Sequence, residues 1–416
     1  MNYPDSVRFL YALGNEIKTA KLGLERIRIL LEALGNPERS CRFVHVAGTN
    51  GKGSTSAMIE AALRAAGERT GLYTSPHLIE PTERIRVGGV PVTAEQFASA
   101  FATVRKAAAQ LLTAGRIDLH PTYFETVTSM AFVLFRELGI ARVVLEVGLG
   151  GRLDATNVVT PELCVITPID FDHEQFLGST IEAIATEKAG ILKPGVPAVF
   201  SRQRLEADRV LKNRAEELGC PYRSAADDAI ANLQISARGS RFEWNGREVV
   251  CPLAGEHQVE NASTAAAALD ELGVPLDGIA ATVWPGRLER VATAPEIILD
   301  GAHNPAGARA LARYIERFYA ARRIWLIYGS MRDKAVDEIA GILFPLAAEV
   351  IVTAPKFGRA LRPEAVEESW PGENVRTAPD LERALDVVRQ EARPDDAVFI
   401  SGSLFLVGEA RALLVQ

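Results

Sequence analysis

Cysteine is scarce in this chain, 4 in 416 residues, and Cys41, Cys164, Cys220 and Cys251 stand far apart with no CxxC spacing. That excludes a zinc knuckle and argues against a disulfide frame, so the four read as reduced core thiols of a cytoplasmic protein. Long apolar runs are missing too: none approaches the roughly eighteen residues that a membrane helix needs. The N-terminus has no basic, apolar, small-residue signal, so neither export nor membrane insertion is expected. Positive charge is in the minority, 46 Lys and Arg against 53 Asp and Glu, for a net charge of −7. That argues against a general nucleic-acid surface, although it says nothing about local basic pockets. No internal repeat or low-complexity tract is visible. What remains is a globular composition, 48% hydrophobic and 24% charged, on a chain long enough for two or three domains.

The most informative stretch is residues 42–56. Phe43, Val44, Val46 and Ala47 read as a buried strand, Gly48, Gly51 and Gly53 punctuate the turn behind it, and Ser54–Ala66 has helical composition. Strand, glycine turn, lysine, hydroxyl and helix form the architecture of a phosphate cradle. Glycines let backbone N–H groups close on phosphates, and the helix N-terminus adds partial positive charge. Lys52 is placed to reach terminal phosphates, with Ser54 or Thr55 near a metal ion. Gly48, Thr49, Asn50, Gly51, Lys52, Gly53 and Ser54 are thus expected to bind a nucleotide triphosphate. The general loop spacing is not fully met: Val46 stands where its first glycine belongs, and Gly53 where Ser or Thr follows the lysine.

Around the loop the chain reads as alternating strands and helices. Leu24, Ile27, Leu30, Leu31 and Leu34 have helical spacing, ended by Gly35-Asn36-Pro37. Thr70–Thr74 is a predicted strand running into Ser75-Pro76-His77, and residues 84–92 a hairpin around Gly88-Gly89. Thr93 with Gln96 forms a capping box for a helix to about Leu112, and another helix covers Thr122–Leu138. The strand from Arg142 carries Glu146 near its end, where a carboxylate among apolar neighbours is costly unless paired or bound to a cation. Ligands of open α/β sheets sit at such strand ends, so Glu146 and the glycines behind it point to the nucleotide cleft. After a strand at Leu163–Pro168, Asp170, Asp172 and His173 could hold Mg²⁺ or simply hydrogen-bond a loop. Ser179 with Glu182 reads as a capping box for a helix through Ala189 that carries Lys188. Residues 229–252 alternate around Asn245-Gly246 as an antiparallel hairpin, and helix 258–271 includes Asn261. The pattern resets near Trp284-Pro285-Gly286-Arg287, with a domain junction expected at about 287–295. Beyond it, strands at 296–300, 323–329, 348–353 and 396–401 alternate with helices at 303–319, 333–344, 379–392 and 404–414. That series predicts a mostly parallel, doubly wound second domain. Asp300, His303 and Asn304 fall at another strand end.

Gly48-Thr-Asn-Gly-Lys-Gly-Ser54, Thr74-Ser-Pro-His-Leu78, Leu145-Glu-Val-Gly-Leu-Gly-Gly-Arg152, Asp172-His173, Glu187-Lys-Ala-Gly-Ile191, Pro285-Gly-Arg287 and Asp300-Gly-Ala-His-Asn-Pro305 occur in the order typical of one family. The chain resembles the folylpolyglutamate synthases and bifunctional dihydrofolate synthases of the Mur ligase superfamily, over nearly its whole length to Gly402-Ser-Leu-Phe-Leu-Val-Gly408. The resemblance implies an α/β architecture: a P-loop ATP-binding and ligase domain with a pterin site over 1–290, then a smaller Rossmann-like domain over 291–416. It implies that Gly51–Ser54 bind ATP phosphates with Asn261, Arg287 and Asp300, and that Ser75, Glu146 and His173 ligate two Mg²⁺ ions. Lys188 matches a lysine that the family carries as a carbamate, an anionic ligand beside the metal. Gly23, Leu24, Glu25 and Arg26, then Thr122, Tyr123 and Phe124, then Leu153, Asp154 and Ala155, match segments that hold the pterin substrate. His303 falls where incoming glutamate and nucleotide meet, so the implied catalytic set is Lys52, Glu146, His173, Lys188 and His303. The implied reaction is ATP-dependent addition of L-glutamate to folate or dihydropteroate through an acyl phosphate, by a cytoplasmic monomer.

Competing readings are a peptidoglycan-building ligase, a P-loop phosphotransferase without ligase activity, and a silent binding module. The first is disfavoured because only 47 residues precede Gly48, too few for the UDP-binding domain those enzymes carry there. The third is disfavoured by intact Lys52, Glu146, His173 and Lys188.

Overall fold

The apolar run Arg42–Ala47 becomes a strand, β1, buried at all but its first residue. The computed structural model describes residues 2–13, 23–332, 334–372 and 374–415. Two compact units are formed: residues 1–169, 180–228 and 261–281 make the first, and residues 170–179, 229–260 and 282–416 the second.

In the first unit β1 is joined by β2 (Thr70–Tyr73), β3 (Ile85–Val87), β4 (Val90–Pro91), β5 (Arg142–Glu146), β6 (Leu163–Ile166), β7 (Ala198–Phe200) and β8 (Tyr222–Ser224). They form an eight-stranded sheet in the order β4-β3-β2-β5-β1-β6-β7-β8. All pairings are parallel except those of β3 with β2 and with β4. The central strands read as continuous apolar runs because helices cover both faces of such a sheet. One core gathers Phe43, Phe97, Phe101, Phe132 and Phe135 with Leu30, Leu31 and Leu145. Each fully buried phenylalanine contributes on the order of 2 kcal/mol.

Helix starts follow their caps. Thr93 and Gln96 form the expected capping box at helix Ala94–Thr113, and Thr122 with Glu125 forms another at helix Tyr123–Glu137. At helix Ile181–Ala189 the cap is Thr180, whose hydroxyl accepts from Ala183 N, and not Ser179 as the spacing to Glu182 suggests. The two hydroxyls are adjacent, and only the one with extended backbone at the right turn can reach the third N–H. Residues 198–200 and 222–224 were too short to show strand periodicity, yet they extend the sheet.

The second unit contains a small antiparallel sheet of β9 (Ile230–Ser236), β10 (Gly239–Trp244) and β11 (Arg247–Cys251). The hairpin at Asn245-Gly246 is therefore part of a three-stranded meander. A six-stranded sheet follows, from β12 (Glu289–Thr293), β13 (Glu296–Leu299), β14 (Ile324–Tyr328), β15 (Glu349–Val352), β16 (Val375–Thr377) and β17 (Ala397–Ser401). Its order is β12-β13-β17-β14-β15-β16, and it is parallel apart from the β12–β13 edge pair. This is the doubly wound arrangement expected from the alternating pattern, and its strand ends present Asp300 and its neighbours.

Candidate active site

At the end of β1 the backbone of Gly48 has φ +150°, and a Cβ there would fall 1.9 Å from Thr167 Oγ1. Gly51 caps helix Lys52–Ala65 with φ +82°, and a Cβ would meet Asn261 Oδ1 at 2.2 Å. Only glycine fits either place. Asn261 is thereby set against the loop, although it lies more than 200 residues away in sequence. Thr49 and Asn50 give their N–H groups to the Pro168 carbonyl at 2.9 and 3.2 Å, which ties the loop to the segment behind β6. Lys52 Nζ donates to the carbonyls of Gly48 and Thr49, both at 3.1 Å. Lys188 Nζ, in a side chain almost wholly buried, donates to the same Gly48 carbonyl at 2.7 Å. Two lysines thus converge on one oxygen, and among the described residues no carboxylate comes within ion-pair distance of Lys52. The Lys52 ammonium at a glycine-built helix start calls for an anion beside it.

Ser75, just past β2, donates its backbone N–H to Glu146 Oε2 at 3.1 Å. Its hydroxyl oxygen is buried without a hydrogen-bond partner, as is Thr55 Oγ1 in the first turn of the loop helix. Orphaned hydroxyls, with a carboxylate bonded to the backbone of one of them, form an oxygen donor set suited to a hard cation. Among the described residues no three His, Cys, Asp or Glu side chains gather as a metal cage. The donors fit Mg²⁺, which commonly takes few protein ligands and completes its shell with water and phosphate.

The three segments expected to hold a pterin come together in this unit. Arg26 Nε donates to Glu125 Oε2 at 2.8 Å, and the same oxygen accepts the Thr122 N–H at 2.8 Å. A Cβ on Gly148 would lie 2.5 Å from Phe124 Cζ, so that ring lies on the glycine loop. Asp154 fastens the loop: Oδ2 accepts the N–H groups of Gly148 and Leu149 at 3.0 and 2.9 Å, and Oδ1 the Thr156 N–H and hydroxyl at 3.0 and 2.5 Å. Burial pushes its carboxyl pKa up, against those bonds. Leu24, Tyr123, Phe124 and Ala155 share one hydrophobic cluster.

The second unit holds the remaining expected residues. Asp300 Oδ2 accepts from Leu288 N and Oδ1 from Ala302 N, both at 3.0 Å, and burial raises its pKa despite Arg287 nearby. Arg287 Nη1 donates to the Gly286 carbonyl at 3.0 Å. His303 Nδ1 donates to the Gly301 carbonyl at 2.8 Å, which turns Nε2 toward Asp172 Oδ2 at 3.5 Å. Asp172 also receives Lys334 Nζ at 2.6 Å, Asn304 Nδ2 at 3.3 Å and His173 Nε2 at 3.8 Å. Burial opposes its charge, but His303, Lys334 and His173 outweigh it and hold the carboxyl well below the usual range. Asp170 faces Arg309 at 3.6 Å. Asp170, Asp172 and His173 therefore do not form the metal cluster that their order allowed, because both carboxylates turn to cations of their own unit. His173 has φ +53° and opens the short helix Glu174–Leu177. Lys334 was missed in the sequence; its one signal is an Asp-Lys pair shortly after β14.

A phosphate loop on one parallel sheet and a second parallel sheet with its own polar strand ends define a Mur-type ligase. The Mur ligase middle domain family model matches residues 46–269, and the Mur ligase glutamate ligase domain model matches residues 286–404. The dihydrofolate synthase/folylpolyglutamate synthase of Bacillus subtilis is 35% identical over 411 residues, 95% of either chain. The folylpolyglutamate synthase of Lacticaseibacillus casei is 35% identical, covering 100% of this chain and 99% of its own. Among solved structures, Mycobacterium tuberculosis folylpolyglutamate synthase complexed with ADP and AMPPCP superposes with a TM-score of 0.92 at 34% identity, covering 100% of this chain and 99% of that one. The chain belongs to the folylpolyglutamate synthase/dihydrofolate synthase family of Mur ligases.

Proposed function

We propose that this protein is an ATP-dependent acid–amino-acid ligase that joins L-glutamate to folates, and that it also glutamylates dihydropteroate. The observation that carries the reading is Lys52 folded onto the carbonyls of a glycine-built loop at a helix start, where Gly48 and Gly51 leave no room for a side chain. Support comes from relatives named for the activity and from the Escherichia coli FolC structure in complex with DHPP and ADP, which matches at a TM-score of 0.87 and 31% identity over 99% of this chain.

In this reading the loop Gly48–Ser54 holds the ATP phosphates, with Lys52 countering their charge and Asn261, Arg287 and Asp300 completing the nucleotide site. The acceptor carboxylate attacks the γ-phosphorus, ADP leaves, and an acyl phosphate remains. The glutamate amine then adds to its carbonyl carbon; the tetrahedral intermediate expels phosphate, and the amine gives up its proton. Most of the protein's contribution is alignment and charge neutralisation, and alignment alone can supply up to about 7–11 kcal/mol. Ser75, Glu146, His173 and Lys188 are the proposed Mg²⁺ ligands, and the ion when bound neutralises charge on the transferred phosphoryl group. We further propose that the neutral Lys188 amine takes up CO₂ and loses a proton to become a carbamate, which turns a repelling cation into an oxygen ligand. Residues 1–290 would provide ATP and acceptor binding, residues 291–416 the glutamate side with His303.

The test is ADP release with L-glutamate, Mg²⁺ and ATP, comparing tetrahydrofolate with dihydropteroate. Turnover with both supports a bifunctional enzyme, and turnover with tetrahydrofolate alone limits it to chain extension. ATP turnover that ignores glutamate would replace the ligase reading with a phosphotransferase.

A further inference from the structure

Two arginines reach the first turn of helix Tyr123–Glu137, and among the described residues only Arg26 has a carboxylate partner. Arg26 is paired with Glu125. Arg84 is 9% exposed, and its guanidinium carbon lies 5.2 Å from the centre of the Tyr123 ring. Its Nε donates to His77 Nδ1 at 2.9 Å. Arginine does not give up its proton, so that Nδ1 must be the bare acceptor of a neutral imidazole. His77 then carries its hydrogen on Nε2 and donates it to Tyr11 Oη at 3.2 Å, while Tyr11 stacks on Tyr123 at 5.8 Å. Nε and one face of the guanidinium are thus fixed. Among the described residues no carboxylate lies within ion-pair distance of Arg84, and neither Nη has a hydrogen-bond partner or is sealed from solvent.

Burying a cation without a counter-charge is expensive, and an aromatic face offsets only part of the cost. The free edge is the two-pronged one, which fits a carboxylate in bidentate fashion. Pterin rings are neutral. The acceptor's reacting carboxylate must go to the phosphoryl donor, which leaves the α-carboxylate of a folate's glutamyl residue as the spare anion. We propose that Arg84 grips this α-carboxylate and so favours pteroylglutamates over pteroates. The inference rests on the folate reading above and assigns the specificity residue within that site. His77 and Tyr123 act as positioning residues, aiming the fork.

The experiment is direct binding, with Mg²⁺ and ADP present, of pteroate and pteroylglutamate, which differ by one glutamyl residue. Wild type is compared with Arg84→Met and Arg84→Lys. Arg84→Met is expected to weaken pteroylglutamate roughly ten-fold or more and pteroate less than about two-fold, with Arg84→Lys recovering part of the loss. ADP affinity and thermal midpoint, read on the same samples, are expected to stay at the wild-type values and show that the fold is intact. Equal weakening of both ligands, or of neither, would overturn the assignment while leaving the folate reading standing. If wild type binds neither ligand, the folate reading fails and this inference falls with it.

Discussion

At the residue scale, most of the proposed chemistry rests on groups that the rest of the chain cannot replace. Lys52 donates only to loop carbonyls in the described structure, so its removal takes away charge without opening a core. Lys52→Ala should nearly abolish glutamate-dependent ADP release and leave the circular dichroism and melting curve close to wild type; full turnover would remove Lys52 from the site. Glu146 differs because it is buried and holds the Ser75 backbone. Glu146→Ala should also stop ligation, but with a measurable loss of stability. Gly48 tests the loop itself. A methyl group there would sit 1.9 Å from Thr167 Oγ1 in a backbone region that side chains rarely adopt. Gly48→Ala should cost about 1–3 kcal/mol of strain and weaken ADP binding, both read by melting with and without ADP. A wild-type melt and ADP affinity would mean that the loop adapts freely.

At the scale of elements, strand ends and helix starts were the legible parts. Gly48, Glu146 and Asp300 stand out because glycine or carboxylate interrupts an apolar run, and the capping box at Thr93 follows from spacing alone, whereas Thr122 reads only as the start of a helix and its box with Glu125 is a finding of the structure. Less was visible where the answer depends on which way a side chain turns. Asp170 and Asp172 look like metal ligands beside His173, but Arg309 and Lys334 claim them. Arg84 sits in a stretch that reads only as hairpin, since nothing local shows that its counter-charge is missing. The two capping boxes give a controlled comparison. Thr93→Ala and Thr122→Ala each lose a cap worth about 1 kcal/mol, measurable in urea unfolding. Thr122 also starts the turn that carries Tyr123, Phe124 and the Glu125 carboxylate bonded to Arg26. Thr122→Ala should therefore raise the KM for tetrahydrofolate several-fold, and Thr93→Ala should leave it alone. Equal KM values would detach this helix start from the acceptor.

At the scale of the whole molecule, the pH dependence of stability involves three histidines, His45, His77 and His257, each pushed below the usual imidazole range chiefly by burial; His45 is the one that ties β1 to the glycine loop. His45 lies in the middle of β1 with no exposure, its Nε2 2.9 Å from Thr156 Oγ1 and its Nδ1 without a partner. Because the Thr156 hydroxyl donates to Asp154, His45 must donate from Nε2, and the chain His45–Thr156–Asp154 links the central strand to the glycine loop. Burial, with Lys193 nearby, pushes the His45 pKa down to about 3. The folded value is below the unfolded one of about 6.5, so between these limits the unfolded chain binds a proton that the folded chain refuses. Stability then falls as pH falls, by about 1.4 kcal/mol per pH unit from this group, over the window from roughly 6 to 4. Asp154 and Asp300 are shifted upward by burial and take folded-state protons sooner, which acts with the opposite sign. The histidine is isolated by difference. His45→Gln keeps an N–H for Thr156 and cannot titrate, so its stability gap to wild type in urea unfolding should shift in the variant's favour by about 1.4 kcal/mol per unit from pH 6 to pH 4. A gap that stays constant across that range would mean that His45 is protonated in the folded state, and that the link from β1 to the glycine loop carries a charge.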